Sequence, residues 1–201
     1  MSFRTGGFKD ENIIFPESAR PREARYDARR TFENDSTGET INFMKQVTLI
    51  SDGACVGNPG PGGWAYILRY GEHSVECAGG TSDTTNNRME ITATIEGLKA
   101  LKEPCEVLVI SDSQYLLNGL VSWRFKWREN AWMRKPKKGQ ERPVLNADLW
   151  QELDALANKH TIRGQWVKGH SGHPDNERCD ELAEAQATKY IDLPCWTDSI
   201  S

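Results

Sequence analysis

The run VTLISDGACVGNPGPGG, residues 47–63, restricts the fold more than any other stretch. Its first half (Val47, Leu49, Ile50) is apolar and β-branched, the pattern of a strand buried in a sheet. Its second half, Gly57-Asn58-Pro59-Gly60-Pro61-Gly62-Gly63, is dense enough in glycine and proline to predict a turn that starts a hairpin. Between the two stands Asp52. A carboxylate at the end of a buried strand is unfavourable unless its charge is compensated. A turn-capping aspartate is the plain explanation. A functional one gains weight because Glu90, Asp112 and Asp180 hold comparable places in TTNNRMEIT, VLVISDSQY and GHPDNERCDELA.

From residue 47 onward the texture is α/β. Strands are expected at 64–70 and at 73–80, after a turn at Gly71-Glu72, so that three strands form an antiparallel meander. Residues 86–101 predict a helix through Ile91, Ile95, Leu98 and Leu101, stopped by Pro104. The run 106–111, apolar over Val107–Ile110, predicts a central strand covered on both faces, paired in parallel through a crossover. Short helices are expected at 114–120 and 146–158, a last strand at 164–168 and a last helix at 175–190. There are no internal repeats.

A chain of 201 residues suits one domain with an extension, or two small ones. The division expected is a polar extension over 1–45, a folded domain over 46–190 and a tail over 191–201. The extension carries eight basic and eight acidic residues with no apolar period, as expected of a segment disordered or draped on the domain. Its Arg20, Arg22, Arg25, Arg29 and Arg30 could touch phosphate, but interleaved acids make a solvated segment the simpler reading. No apolar run approaches the roughly 18 residues of a membrane span, and the N-terminus lacks a signal-peptide core. Five cysteines (55, 77, 105, 179 and 195) without paired spacing suggest reduced thiols in the cytoplasm.

The net charge of −4 excludes a globally basic nucleic-acid binder, so any such surface must be local. Residues 122–143 supply one. They hold eight Lys/Arg against Glu129 and Glu141, with Trp123, Trp127 and Trp132 interleaved. Charge for phosphate beside flat apolar rings for sugars and bases is what a nucleic-acid groove uses. An amphipathic helix packing Trp123 and Trp127 inward is the competing account, and the two are compatible.

If the four acids converge at the carboxyl ends of the strands, their mutual repulsion calls for cations. Hard oxygen ligands select Mg2+, with Mn2+ as a possible substitute, and two such ions can activate a water and stabilise a leaving 3′ oxygen in phosphodiester hydrolysis. Four unrelated solvent-facing acids remain the alternative. Zinc held by His170, His173 and Cys179 would lack a fourth ligand. The 57–63 turn is not a phosphate loop, since no Gly-Lys-Ser/Thr follows it.

The strings SDGACVGNPGPGGW, TTNNRMEI, ISDSQY, NADLW and WVKGHSGHPDNERCDELA, in this order, resemble ribonuclease HI over roughly residues 46–190. The resemblance implies a mixed five-stranded sheet, three antiparallel strands then two parallel, with helices on both faces. It implies an endonuclease that cuts the RNA strand of RNA/DNA hybrids, leaving 5′-phosphate and 3′-hydroxyl ends, and a monomer. It makes Asp52 the bridge between two metal ions, Asp180 a ligand of one, and Glu90 with Asp112 ligands of the other. His170 would sit on a mobile loop and assist proton transfer or product release; between Gly169 and Ser171 it can equally be a plain loop residue.

The same resemblance assigns 2′-hydroxyl recognition to Asn86, Glu90, Gln114 and the Cys55–Asn58 backbone. It matches Thr85 and Asn146 to residues that hold a phosphate of the DNA strand. Asn87 also flanks the acids and can reach the minor groove. For Asn86 a helix N-cap is the alternative. The segment 122–143 looks like the family's basic protrusion, with Trp123, Trp127, Lys135, Lys137 and Lys138 as its expected contacts. Two departures, Ser51 before the first Asp and Ala54 after the Gly, remove no ligand. Rival readings are another nuclease on the same fold, which would lack the Asn86/Gln114 set, and a catalytically silent binding module, which predicts loss of an acid.

Overall fold

The computed structural model describes residues 44–134, 139 and 141–191. In chain order these form β1 (Lys45–Cys55), β2 (Gly60–Tyr70), β3 (His73–Thr84), α1 (Asn86–Lys99), β4 (Cys105–Ser111), α2 (Gln114–Asn118), a π-helical turn (Gly119–Trp123) and α3 (Arg124–Glu129). Then come the two-residue strands β5 (Met133–Arg134) and β6 (Arg142–Pro143), α4 (Ala147–Ala157), β7 (Thr161–Trp166) and α5 (Pro174–Ile191). Most of the expected extension and tail, with Lys135, Lys137 and Lys138, lies outside the described residues.

The main sheet runs β3-β2-β1-β4-β7. β1, β2 and β3 pair antiparallel, while β4 pairs parallel with β1 and β7 parallel with β4. This is the expected mixed sheet. Period-two alternation gives it two cores. Leu49 and Val109 face α1, α2 and α4, where Ile91, Ile95, Leu116, Trp150 and Leu153 are buried. Ile50 and Ile110 face the other way, onto Cys179 and Ala183 of α5. Both faces are therefore covered by helices.

Several boundaries differ from expectation. The predicted turn over Gly57–Gly63 is shorter: β1 runs on through Asp52 to Cys55, and Gly60 already belongs to β2. Val56 N–H donating to Pro61 O (2.8 Å) closes the turn. Gly63 sits in the strand because α5 presses on it. A β-carbon there would lie 2.1 Å from Ala183 O, a contact that only glycine permits.

β3 continues past Gly80 to Thr84, and α1 stops at Lys99 rather than Leu101. The helix expected over 114–120 ends at Asn118, and the chain continues through the π turn into α3. The last strand is Thr161–Trp166, not 164–168. β7 is an edge strand whose Thr161, Arg163 and Gln165 are exposed, so it carries no apolar run to mark it. The small β5–β6 pair was not foreseen.

Candidate active site

A constant register builds the centre of the site. β1 and β4 pair from Lys45↔Cys105 to Ile50↔Ile110, every partner sixty residues apart. Carried two residues past the last of these pairs, that offset sets Asp52 beside Asp112. Neighbouring strands lie about 4.8 Å apart, so the two acids start out as close neighbours.

Two glycines bring in the other elements. A β-carbon on Gly53 would stand 2.3 Å from the Glu90 amide nitrogen and 2.4 Å from Met89 C, so α1 rests directly on β1 and carries Glu90 to Asp52. A β-carbon on Gly169 would lie 2.4 Å from Asp112 Oδ2, so the loop bearing His170 lies against that carboxylate. On the opposite face α5 is tied to β1 by the Cys179 thiol donating to Ile50 O (3.6 Å), and Asp180 is the next residue. His170 Nδ1 stands 3.5 Å from Asp180 Oδ2; the imidazole is largely exposed and its backbone has φ +48°.

The four acids share one electrostatic environment. Burial pushes the Asp52 carboxyl up to about 8, aided by the charges of Asp112, Asp180 and Glu90, while the Gly53 N–H at 2.7 Å opposes the rise. Burial also lifts Glu90 to about 7, with Asp112 adding to it; Ser113 and Asn86 pull the other way by hydrogen bonding. Asp180 is raised by burial and by Glu184, with Asp112 contributing and His170 opposing. The packing weighs against four unrelated surface acids. Asp52 and Glu90 are buried, and Asp52 is coupled to the other three.

Glu90 is the most tightly held of the set. Its Oε2 accepts from Ser113 Oγ at 2.5 Å and its Oε1 from Asn86 Nδ2 at 3.0 Å. Among the described residues, no three His, Cys, Asp or Glu side chains are drawn together closely enough to encircle an ion by themselves. The donor set still suits a hard divalent cation. It is made of carboxylates whose proton affinity is raised by crowding and burial, which positive charge would relieve.

The residues expected to contact substrate surround this cluster. Asn86 is the first residue of α1, not its cap; Thr85 takes the cap position and makes no side-chain capping bond. Asn58 reaches across the turn instead, its Oδ1 accepting from Asn86 N–H (3.0 Å). Asn86 is thus committed to orienting Glu90, which the N-cap alternative did not anticipate. Asn87 is half-buried and Gln114 exposed at the start of α2. The Cys55 thiol donates to Thr84 O (3.4 Å) and Gly60 O (3.6 Å), pinning the turn to the end of β3. Asn146, at φ +59° before α4, lies 3.5 Å from both Arg88 Nη1 and the Tyr115 hydroxyl.

The basic arm is less free than its composition suggested. Arg124 is buried and paired with Asp154, and Arg128 reaches the same carboxylate at 3.2 Å. These two belong to the packing of the arm against α4 rather than to an open field. Trp127 packs on Trp150 with ring centres 5.3 Å apart, while Trp123 stays 40% exposed beside Tyr115. One indole therefore packs and the other faces outward. Sequence reasoning missed Ser113, Gly53, Gly169 and Trp166. The first lies inside the ISDSQY string and could have been read as a cap of α2, which it also is.

A mixed sheet in this order, with carboxylates gathered where β1 and β4 end, is the architecture of a ribonuclease H-like nuclease. The RNase H family model matches residues 44–188. The ribonuclease H of Rhizobium etli is 54% identical over 140 residues, covering 70% of this chain and 90% of that one. The ribonuclease HI of Neisseria meningitidis serogroup B is 52% identical over 144 residues, covering 72% and 97%. Among solved structures, LC9-RNase H1, a type 1 RNase H with the type 2 active-site motif, superposes with a TM-score of 0.65 at 30% identity, covering 73% of this chain and 74% of that one. The chain belongs to the RNase H family and is an endoribonuclease of the RNA strand in RNA/DNA hybrids. No helix among the described residues is long and apolar enough to cross a membrane.

Proposed function

We propose that Asp52, Glu90, Asp112 and Asp180 hold two divalent cations, Mg2+ or in its place Mn2+, for hydrolysis of the RNA strand. The observation that carries this reading is the packing that sets Asp112, by the β1–β4 register, and Glu90, by the Gly53 contact, beside the buried Asp52; burial and the neighbouring acids push the Asp52 carboxyl up. Bound cations supply Lewis acidity toward the attacking water and the departing 3′ oxygen.

The rest falls to the chain itself. Asp52 would be a ligand of both cations, Asp180 of one, and Glu90 with Asp112 of the other. Ser113 and Asn86 fix the rotamer of Glu90. His170, on its exposed loop beside Asp180, relays a proton away from the reacting phosphate or speeds product departure.

Asn86, Asn87, Gln114 and the backbone of Cys55–Asn58 read 2′-hydroxyls. Thr85 and Asn146 hold a DNA-strand phosphate. Trp123, with Lys135, Lys137 and Lys138, follows the DNA strand from the arm, while Trp127 supports Trp123 from beneath at 5.7 Å between ring centres. A monomer is sufficient, since all four acids come from one chain. Cys55, Cys77, Cys105 and Cys179 are free thiols, which suits the cytoplasm.

The test compares labelled RNA/DNA, RNA/RNA and DNA/DNA duplexes with Mg2+ and with EDTA, using the full chain and Asp52→Asn. Cutting of the hybrid alone, lost in EDTA and in the variant while hybrid binding persists, is expected. Cleavage in EDTA, or full turnover by Asp52→Asn, would overturn the metal reading.

A further inference from the structure

Beside the site stands a large, half-exposed aromatic side chain, Trp166. Trp166 closes β7, and its ring is 50% exposed, so it adds little to either core. Its indole N–H donates to the main-chain carbonyl of Asp112 at 2.9 Å. The pairing Ser111↔Trp166, followed by Val167 N–H donating to Ser111 O (3.1 Å), zips the two strand ends together immediately before Asp112. Three residues further on, Gly169 lies against the Asp112 side chain.

We infer that Trp166 is a positioning residue for Asp112. Beyond Ser111 the β4 ladder ends: Val167 N–H holds the Ser111 carbonyl and Ser111 Oγ accepts from Ser113 N–H (3.1 Å), while the Asp112 carbonyl is held by a side chain, the Trp166 indole. That bond sets the direction in which Cα–Cβ of Asp112 points. The same residue begins the segment that leads to His170. One ring therefore sets Asp112 and the root of the His170 loop together, which couples the β4 end of the acid cluster to the loop above it.

The inference rests on the reading of Asp112 as a metal ligand, and its test keeps the two apart. Trp166→Phe retains a flat ring and removes only the N–H. Thermal denaturation of the full chain is followed against Mg2+ concentration from an EDTA baseline, without substrate, and hybrid cleavage is measured in parallel. In EDTA the melting temperature of Trp166→Phe is expected to fall by no more than the loss of one hydrogen bond allows. The Mg2+ midpoint should rise about threefold to tenfold, the range set by one neutral hydrogen bond. Turnover should fall by a similar factor with KM for the hybrid unchanged.

An unchanged Mg2+ midpoint with unchanged turnover would overturn the inference. So would a lowered melting temperature in EDTA with no shift in midpoint, which would make Trp166 merely structural. A raised KM at unchanged turnover would make it a substrate contact and overturn the positioning role. If the parent protein shows no Mg2+ stabilisation and cuts in EDTA, the metal reading fails instead.

Discussion

Gly53 and Glu90 meet backbone to backbone: a β-carbon on residue 53 would stand 2.3 Å from the Glu90 amide nitrogen. The obstacle is main chain, which cannot swing aside as a side chain can. Gly53→Ala must therefore lift the start of α1 from β1, moving Glu90 away from Asp52. Overpacking of this kind destabilises by about 1–3 kcal/mol. Urea denaturation should show that loss, and hybrid cleavage should fall at least tenfold at temperatures where the variant stays folded. Normal turnover in a folded Gly53→Ala would mean that this close approach does not set the site.

Ser113 holds Glu90 by one hydrogen bond and caps α2 by another, accepting from Leu116 N–H at 3.1 Å. In Ser113→Ala both are lost. Hydrogen bonding from Ser113 lowers the Glu90 carboxyl, which burial otherwise lifts, so its removal raises that group further above about 7. The acidic limb of the turnover–pH profile should move to higher pH, with turnover at pH 6 falling more than at pH 9. Ser113→Thr keeps the hydroxyl and should restore the profile. A profile that merely scales down at every pH would show that only the α2 cap matters.

The raised carboxyls have a consequence for stability without metal. Asp52 at about 8 and Glu90 at about 7 bind protons more tightly folded than unfolded. Their contribution is complete below the ordinary carboxylate range and is lost as pH rises through 7 and 8. In EDTA the melting temperature should therefore fall between pH 5 and pH 9. Asp52→Asn removes the more strongly shifted group and should stabilise the metal-free protein at pH 9 relative to the parent, with the difference shrinking toward pH 5. Mg2+ should narrow the gap by neutralising the parent's acids. A melting temperature flat in EDTA across this range would contradict the crowding of the four acids.

How much of this could be read from the sequence depends on where the signal lies. Val47, Leu49 and Ile50, and Val107–Ile110, are apolar because both faces of β1 and β4 are covered, and they announced two strands with an acid after each. Asp52, Glu90, Asp112 and Asp180 were legible for that reason and through their flanking strings. β7 was misplaced because an exposed edge strand alternates without an apolar run. The glycines at 60–63 were read as a turn because composition does not distinguish a glycine that bends the chain from one that admits a helix. Ser113 and Trp166 were missed for a third reason. Each acts through a hydrogen bond to a residue distant in sequence, 23 positions for Ser113 and 54 for Trp166, and no local pattern encodes such a partner.

The arm separates charge that packs from charge that binds. Arg124 is buried against Asp154 and also donates to Leu120 O and Asn158 Oδ1. Removing a buried partner outright costs about 3–5 kcal/mol when the other charge is left unpaired; here Arg128 stays 3.2 Å from Asp154, so the loss is smaller. Arg124→Met should accordingly lower the melting temperature. Below that temperature it should leave the salt dependence of hybrid binding unchanged, because Arg124 cannot reach a phosphate from inside the arm. Lys126 is exposed and has no such anchoring. Lys126→Ala should leave stability untouched yet flatten the plot of log affinity against log salt by about 0.9, one phosphate contact. Binding titrations at four salt concentrations on both variants decide the matter. A reduced slope for Arg124→Met, or an unaltered one for Lys126→Ala, would show that the arm does not divide its charges in this way.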